Sequence, residues 1–180
     1  MYDLELTKDW HQVALFNGDK TKNEVSVSLN KEMVKGGLEL DASASYYLYD
    51  FWKDAFVGKL KGNETITANL DSLSCAMFSV HKVQDVPQLV STNRHILQGW
   101  MELKDILWNE SAKTLSGKAS VIGGEAMRIV IASNNWKLVS VKAEGATAKW
   151  EKHPSGDALK VLVLESKDTK EVWWSIIYKK

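Results

Sequence analysis

Tyr46-Tyr47-Leu48-Tyr49-Asp50-Phe51-Trp52, followed by Lys53-Asp54-Ala55-Phe56-Val57-Gly58-Lys59-Leu60, is the stretch that decides the fold. It sets six aromatic side chains within the eleven positions 46 to 56. In extended chain, Tyr47, Tyr49 and Phe51 fall on one face and Tyr46, Leu48 and Trp52 on the other. A strand that is apolar on both faces must be covered on both. Lys53-Asp54 reads as a polar tip, Ala55 to Leu60 as a returning strand closing near Gly58, and Lys61-Gly62-Asn63 as the next turn. The expectation is a hairpin at the centre of a sheet.

Working outward, period-2 alternation dominates and helical periodicity is absent. Val25, Val27 and Leu29 alternate with Ser26 and Ser28, and Ile66, Ala68 and Leu70 alternate with Thr65, Thr67 and Asn69. His11 to Asn17 and Ser74 to His81 are apolar on both sides, as central sandwich strands are. Further strands are expected at Leu115 to Val121, Met127 to Ala132, Lys137 to Ala143, Ala146 to Lys152, Asp157 to Leu164 and Glu171 to Tyr178. Turns separate them at Gly123-Gly124, Asn134-Asn135, Gly145 and Pro154-Ser155-Gly156. Asn30, with Lys31 to Lys35 and the stop Gly36-Gly37, predicts one short helical turn capped by Asn30. From Lys82 to Gly99 the pattern breaks around Pro87 and Ser91-Thr92-Asn93-Arg94-His95, which suggests a boundary. The chain is therefore expected to be all-β with negligible helix: two antiparallel β-sandwiches of meander or Greek-key type, residues 1–88 and 89–180.

The 180 residues are 44% hydrophobic and 26% charged, with zero formal net charge and eight Trp against four Phe. No run of like charge points to nucleic acid or an anionic membrane, and no stretch approaches a membrane span. The single cysteine, Cys75, excludes an internal disulfide, and its apolar neighbours suggest a buried, inert thiol. No leader precedes the alternation of Tyr2, Leu4 and Leu6, so the chain reads as an internal fragment. Met1 then reads as an added start, and the closing lysines as a natural C-terminus. The compartment stays open; a periplasmic or secreted parent would carry its signal elsewhere.

Phosphate-loop, dinucleotide, zincin, calcium-loop and nucleophile-elbow patterns are missing. Gly123-Gly124-Glu125 precedes a strand, where a phosphate site needs a helix, and reads as a turn. His11, His81, His95 and His153 lack partners at metal-ligand spacing, so no metal or cofactor is expected. Asn93, Arg94 and His95 are open to two readings: a site on a loop, or a junction whose side chains satisfy backbone groups. Asp50 is a carboxylate in an otherwise apolar strand and needs a partner, expected to be Arg94 or a backbone amide. Indoles stack on sugar rings but also fill sandwich cores. Trp150 and Trp174 are in phase with core positions, whereas Trp173, Trp136 and Trp100 are the carbohydrate-contact candidates.

His11-Gln12-Val13-Ala14-Leu15-Phe16-Asn17, Gly37-Leu38-Glu39-Leu40-Asp41, Tyr47-Leu48-Tyr49-Asp50-Phe51-Trp52 and Val57-Gly58 follow one another in an order that resembles the C-terminal β-sandwich of α-galactosidase-like glycoside hydrolases. Ile66 to Leu70 and Ser74 to Val80 resemble that domain's paired closing strands. The likeness covers residues 8 to 82. It implies a non-catalytic accessory region whose partner is a TIM barrel of the same polypeptide, which carries the catalytic carboxylates in that family, together with an oligosaccharide. No catalytic residue carries over. Two other readings stay open: a free-standing carbohydrate-binding or adhesion module, and a small β enzyme with a site near His95.

Overall fold

The computed structural model describes residues 1 to 180, Asp157 by its backbone alone. It is nearly all β, with four antiparallel sheets packed as sandwich-like layers. The chain divides into two compact units, Met1–Val83 and Gln84–Lys180.

The first unit holds β1 (Tyr2–Thr7), β2 (Trp10–Phe16), β3 (Asn23–Ser28), β4 (Ser45–Asp50), β5 (Ala55–Lys61), β6 (Thr65–Leu70) and β7 (Cys75–Lys82). A five-stranded sheet runs in the order β1-β2-β7-β4-β5, and β3 pairs with β6 in a two-stranded sheet. Alternation explains how the layers meet. Val13 and Leu15 of β2, Leu48 of β4, and Phe78 and Val80 of β7 pack with Val27 of β3 and Ile66, Ala68 and Leu70 of β6 in one core. Tyr49 and Gln12, on the opposite face of the large sheet, are also buried at 1% exposure.

The opening hairpin forms with β4 and β5 paired, but it is not central. β7 is the middle strand and β5 an edge. Phe51 and Trp52 lie in the turn beyond β4, the Phe51 amide still donating to the Met77 carbonyl at 2.9 Å, and Trp52 is 58% exposed. Gly58 does not end β5; it pairs with Leu48 beside a bulge of β5 at Val57, with φ of 154°. The short helical turn is a 3-10 turn, Met33–Lys35, closed by a left-handed Gly36. Glu32 precedes it without a side-chain cap, so Asn30 does not cap it; the Asn30 Oδ1 instead accepts from the Ser28 hydroxyl.

The second unit holds β8 (Gln88–Thr92), β9 (Leu103–Asn109), β10 (Thr114–Val121), β11 (Met127–Ala132), β12 (Lys137–Ala143), β13 (Thr147–His153), β14 (Gly156–Glu165) and β15 (Lys170–Lys179). Two four-stranded sheets form, in the orders β12-β15-β10-β9 and β13-β14-β11-β8. Leu115, Ala119, Val172, Trp174 and Ile176 line the buried face of the first, and a Trp150–Tyr178 ring contact at 6.3 Å joins the two. Gly117 is required beneath Trp174, since a Cβ there would lie 3.0 Å from the indole and 2.6 Å from Ile106 Cδ1.

Two strands break the expected pattern. β8 falls where a boundary was expected, yet all five of its residues are buried. Its polar side chains are satisfied instead of solvated: Gln88 Oε1 accepts from the Gln84 amide at 2.8 Å, and the Ser91 hydroxyl donates to Gln98 Oε1 at 2.8 Å. β9 is a bulged edge strand in which Asp105 has φ of 54°, so side-chain phase is lost halfway along.

Candidate functional site

Two polar surfaces stand out, one in each unit. In the first unit a cleft of 310 Å³ opens beside the core. β1 supplies Asp3 and Glu5, β2 supplies His11, and the turn between them supplies Lys8 and Asp9. Leu38, Glu39, Leu40 and Asp41 form the opposite wall, with Tyr46 and Lys82 from β4 and β7. Gly62 lets that wall close, because a Cβ there would collide with the Asp41 carbonyl oxygen.

The centre of the cleft is a buried pair. His11 Nδ1 lies 3.3 Å from Asp3 Oδ1, and the two side chains are 5% and 6% exposed. Nδ1 also lies 3.4 Å from Asp3 Oδ2, so the ring nitrogen faces both carboxylate oxygens. Asp3 and His11 meet because β1 and β2 pair with Asp3 opposite Val13 and Glu5 opposite His11, which sets Asp3 diagonal to the ring. The Tyr46 hydroxyl accepts from the Asp41 amide at 3.1 Å. Burial raises the Tyr46 phenol above its ordinary value. The Ser43 hydroxyl and amide, both donating to the Asp41 carboxylate, hold that group below its ordinary range, and Lys82 adds to the effect. The Tyr46 phenol is the one side-chain hydroxyl in the lining, which holds no Ser, Thr or Cys. Five carboxylates against two lysines suit the site to hydroxyl or ammonium donors.

In the second unit, the solvent face of β12-β15-β10-β9 carries Trp173. Register places Lys118 directly opposite it on β10, and Lys104 beyond on β9. Ser116 and Ser175 form the neighbouring row, continued on β12 by Lys142. Trp173 is 40% exposed. Lys118 donates to Asp105 at 3.0 Å and Lys104 to Glu171 at 3.2 Å.

The residues singled out from sequence separate sharply. Trp173 and Trp100 are exposed, the latter at 46%. Trp136 is not a contact surface: it is 6% exposed, packs edge-on to Trp108 at 5.0 Å, and its Nε1 donates to the Asp85 carbonyl at 2.9 Å. Lys113 and Lys180 cover its ring. Asp50 is 2% exposed, and its partners are Lys53 Nζ at 3.1 Å and the Lys53 amide at 3.2 Å. The expected Arg94 partner is engaged within its own unit instead: its guanidinium pairs with the Glu125 carboxylate and donates to the Glu125 carbonyl. Asn93 accepts from the Arg128 amide and donates to the Ala126 carbonyl, and exposed His95 accepts from the Leu97 amide through Nδ1. These are the backbone-satisfying contacts of a folded loop. Cys75 is exposed, not buried, because it begins β7 at the sheet margin.

Two features escaped the sequence reading. Trp52 is more exposed than any of the three selected indoles, and the Asp3–His11 pair was invisible without the β1–β2 register. The usable signal was the Lys8-Asp9 turn, which makes Tyr2–Thr7 and Trp10–Phe16 a hairpin. Among the described residues no group of three His, Cys, Asp or Glu is arranged to hold a metal. No family model matches the chain, and no curated protein matches it.

Proposed function

We propose that this chain is a non-catalytic accessory region of a larger glycoside hydrolase, of the α-galactosidase type that residues 8 to 82 resemble, and that it contacts glycan. The observation that supports glycan contact is Trp173, an exposed indole flanked by Lys118, with the half-buried Ser116 in the neighbouring row. A sugar presents an apolar ring face bordered by hydroxyls, and such a surface offers the indole to the first and donors and acceptors to the second. Catalysis then belongs to the TIM barrel that the resemblance implies.

The test uses the whole chain. It should release no phenol from an aryl α-galactoside, and it should bind members of a glycan array, with binding weakened in Trp173→Ala. Hydrolysis would overturn the non-catalytic reading; binding to no glycan would overturn glycan contact. The exposure of Trp52 and Trp100 as well favours a second reading, a free-standing carbohydrate-binding module. A shift in the melting temperature of an α-galactosidase-type barrel on adding the chain separates the two, since only the accessory region stabilises one.

A further inference from the structure

We infer that the solvent face of β12-β15-β10-β9 binds an acidic polysaccharide, its anionic groups carboxylate or sulfate; this rests on the reading above that the face contacts glycan. Five lysines lie on it or at its ends: Lys104, Lys118, Lys137, Lys142 and Lys179. They fall into two sets. Lys104 and Lys118 are cross-strand partners, and their repulsion is relieved by Glu171 and Asp105, which pair with them. Lys137 and Lys179 are also direct cross-strand partners, both exposed, and among the described residues no carboxylate pairs with either. Like charges opposed across a ladder disfavour the sheet. An anion shared between them would reverse the sign of that interaction. Lys142, exposed and likewise without an ion pair among the described residues, stands opposite Ser175 on the same face.

The arrangement also has an apolar element and a direction. Ser175 is one same-face step along β15 from Trp173, so Lys142 borders the indole, while Lys137 and Lys179 lie farther along the same two strands. Glu144, whose amide donates to the Trp173 carbonyl, and Glu171 leave the indole end of the face near neutral. Positive charge therefore rises from the stacking position toward the Lys137–Lys179 row. A polymer of sugar rings with anionic groups at intervals matches both features; a neutral glycan would leave the lysines unused, and a compact anion would leave Trp173 unused.

The experiment is affinity electrophoresis of the full chain through gels containing polygalacturonate, a sulfated glycan, a neutral galactan or duplex DNA. Retardation by polygalacturonate or the sulfated glycan is expected, and whichever retards more identifies the anionic group. Retardation should fall as salt is raised through about 0.5 M, where screening acts within a few ångströms. Lys137→Gln/Lys142→Gln/Lys179→Gln should weaken acidic-glycan binding at least about tenfold, and Trp173→Ala, which leaves every charge in place, about fivefold. Circular dichroism of both variants should match the parent. The inference is overturned if neither acidic glycan retards the chain, if DNA retards it as strongly, or if Trp173→Ala binds unchanged. Retardation by neutral galactan alone overturns this inference and leaves the glycan-contact reading standing, whereas retardation by no glycan overturns both.

Discussion

The cleft of the first unit and the lysine face of the second are opposite in sign and in construction. Residues 1 to 83 carry twelve Asp and Glu against nine Lys, net −3; residues 84 to 180 carry eleven against fourteen Lys and Arg, net +3. The zero net charge of the chain is thus a cancellation between units. The cleft is organised on a buried pair, Asp3 with His11, whose geometry the fold fixes. The lysine face is organised on exposed side chains that the fold merely presents. A buried charge must be matched by the protein itself, because desolvation is costly. An exposed one remains free for a ligand and contributes little to stability. Substitutions in the cleft should therefore register as stability, and those on the face as binding.

The largest effect should come from the support beneath the face. Trp174 is 1% exposed and packs over Gly117, so Trp174→Ala should cost about 3–5 kcal/mol in denaturant unfolding followed by circular dichroism. A loss below about 1 kcal/mol would mean that this side chain is not a core element.

The direct contrast comes next. Asp3→Ala strands the His11 ring at 4% exposure and should cost about 1–3 kcal/mol, with Asp3→Asn recovering part of it. Lys179→Gln, by comparison, should leave the unfolding free energy within about 0.5 kcal/mol, or raise it slightly by relieving the opposition of Lys137. Equal losses for Asp3→Ala and Lys179→Gln would erase the distinction between the two surfaces.

How far the sequence could carry these assignments follows from what burial looks like in one dimension. Thr114 to Val121 and Lys137 to Ala143 were legible as strands because each alternates, or nearly so, between a core and a solvent face. Gln88–Thr92 was not, because Gln88, Ser91 and Thr92 are polar yet buried, and their burial depends on partners such as Gln98 that only the folded loop delivers. Trp136 and Trp173 show the same limit for the indoles. Both sit near strand ends or on alternating strands, and only the neighbouring Trp108 and the Asp85 carbonyl make one of them core. The all-β class rests on periodicity, which is local; the cleft and the lysine face rest on register between strands, which is not.

The smallest effect tests the exposed rim of the cleft. The Asp41 carboxylate is solvent-screened, but the Ser43 hydroxyl at 2.7 Å and amide at 2.9 Å favour its charged form and hold its pKa below the ordinary 3.8. A depressed folded value means that the stabilisation is fully present above 3.8 and is lost only as pH falls through the lower folded value. Carboxyl titration by NMR should place the Asp41 midpoint below 3.8, and Ser43→Ala should move it upward while the amide contact keeps it from returning fully. Stability at neutral pH should barely respond, because a screened surface carboxylate couples weakly to folding. An Asp41 midpoint that Ser43→Ala leaves in place would show that Ser43 is not what holds the rim of the acidic cleft charged.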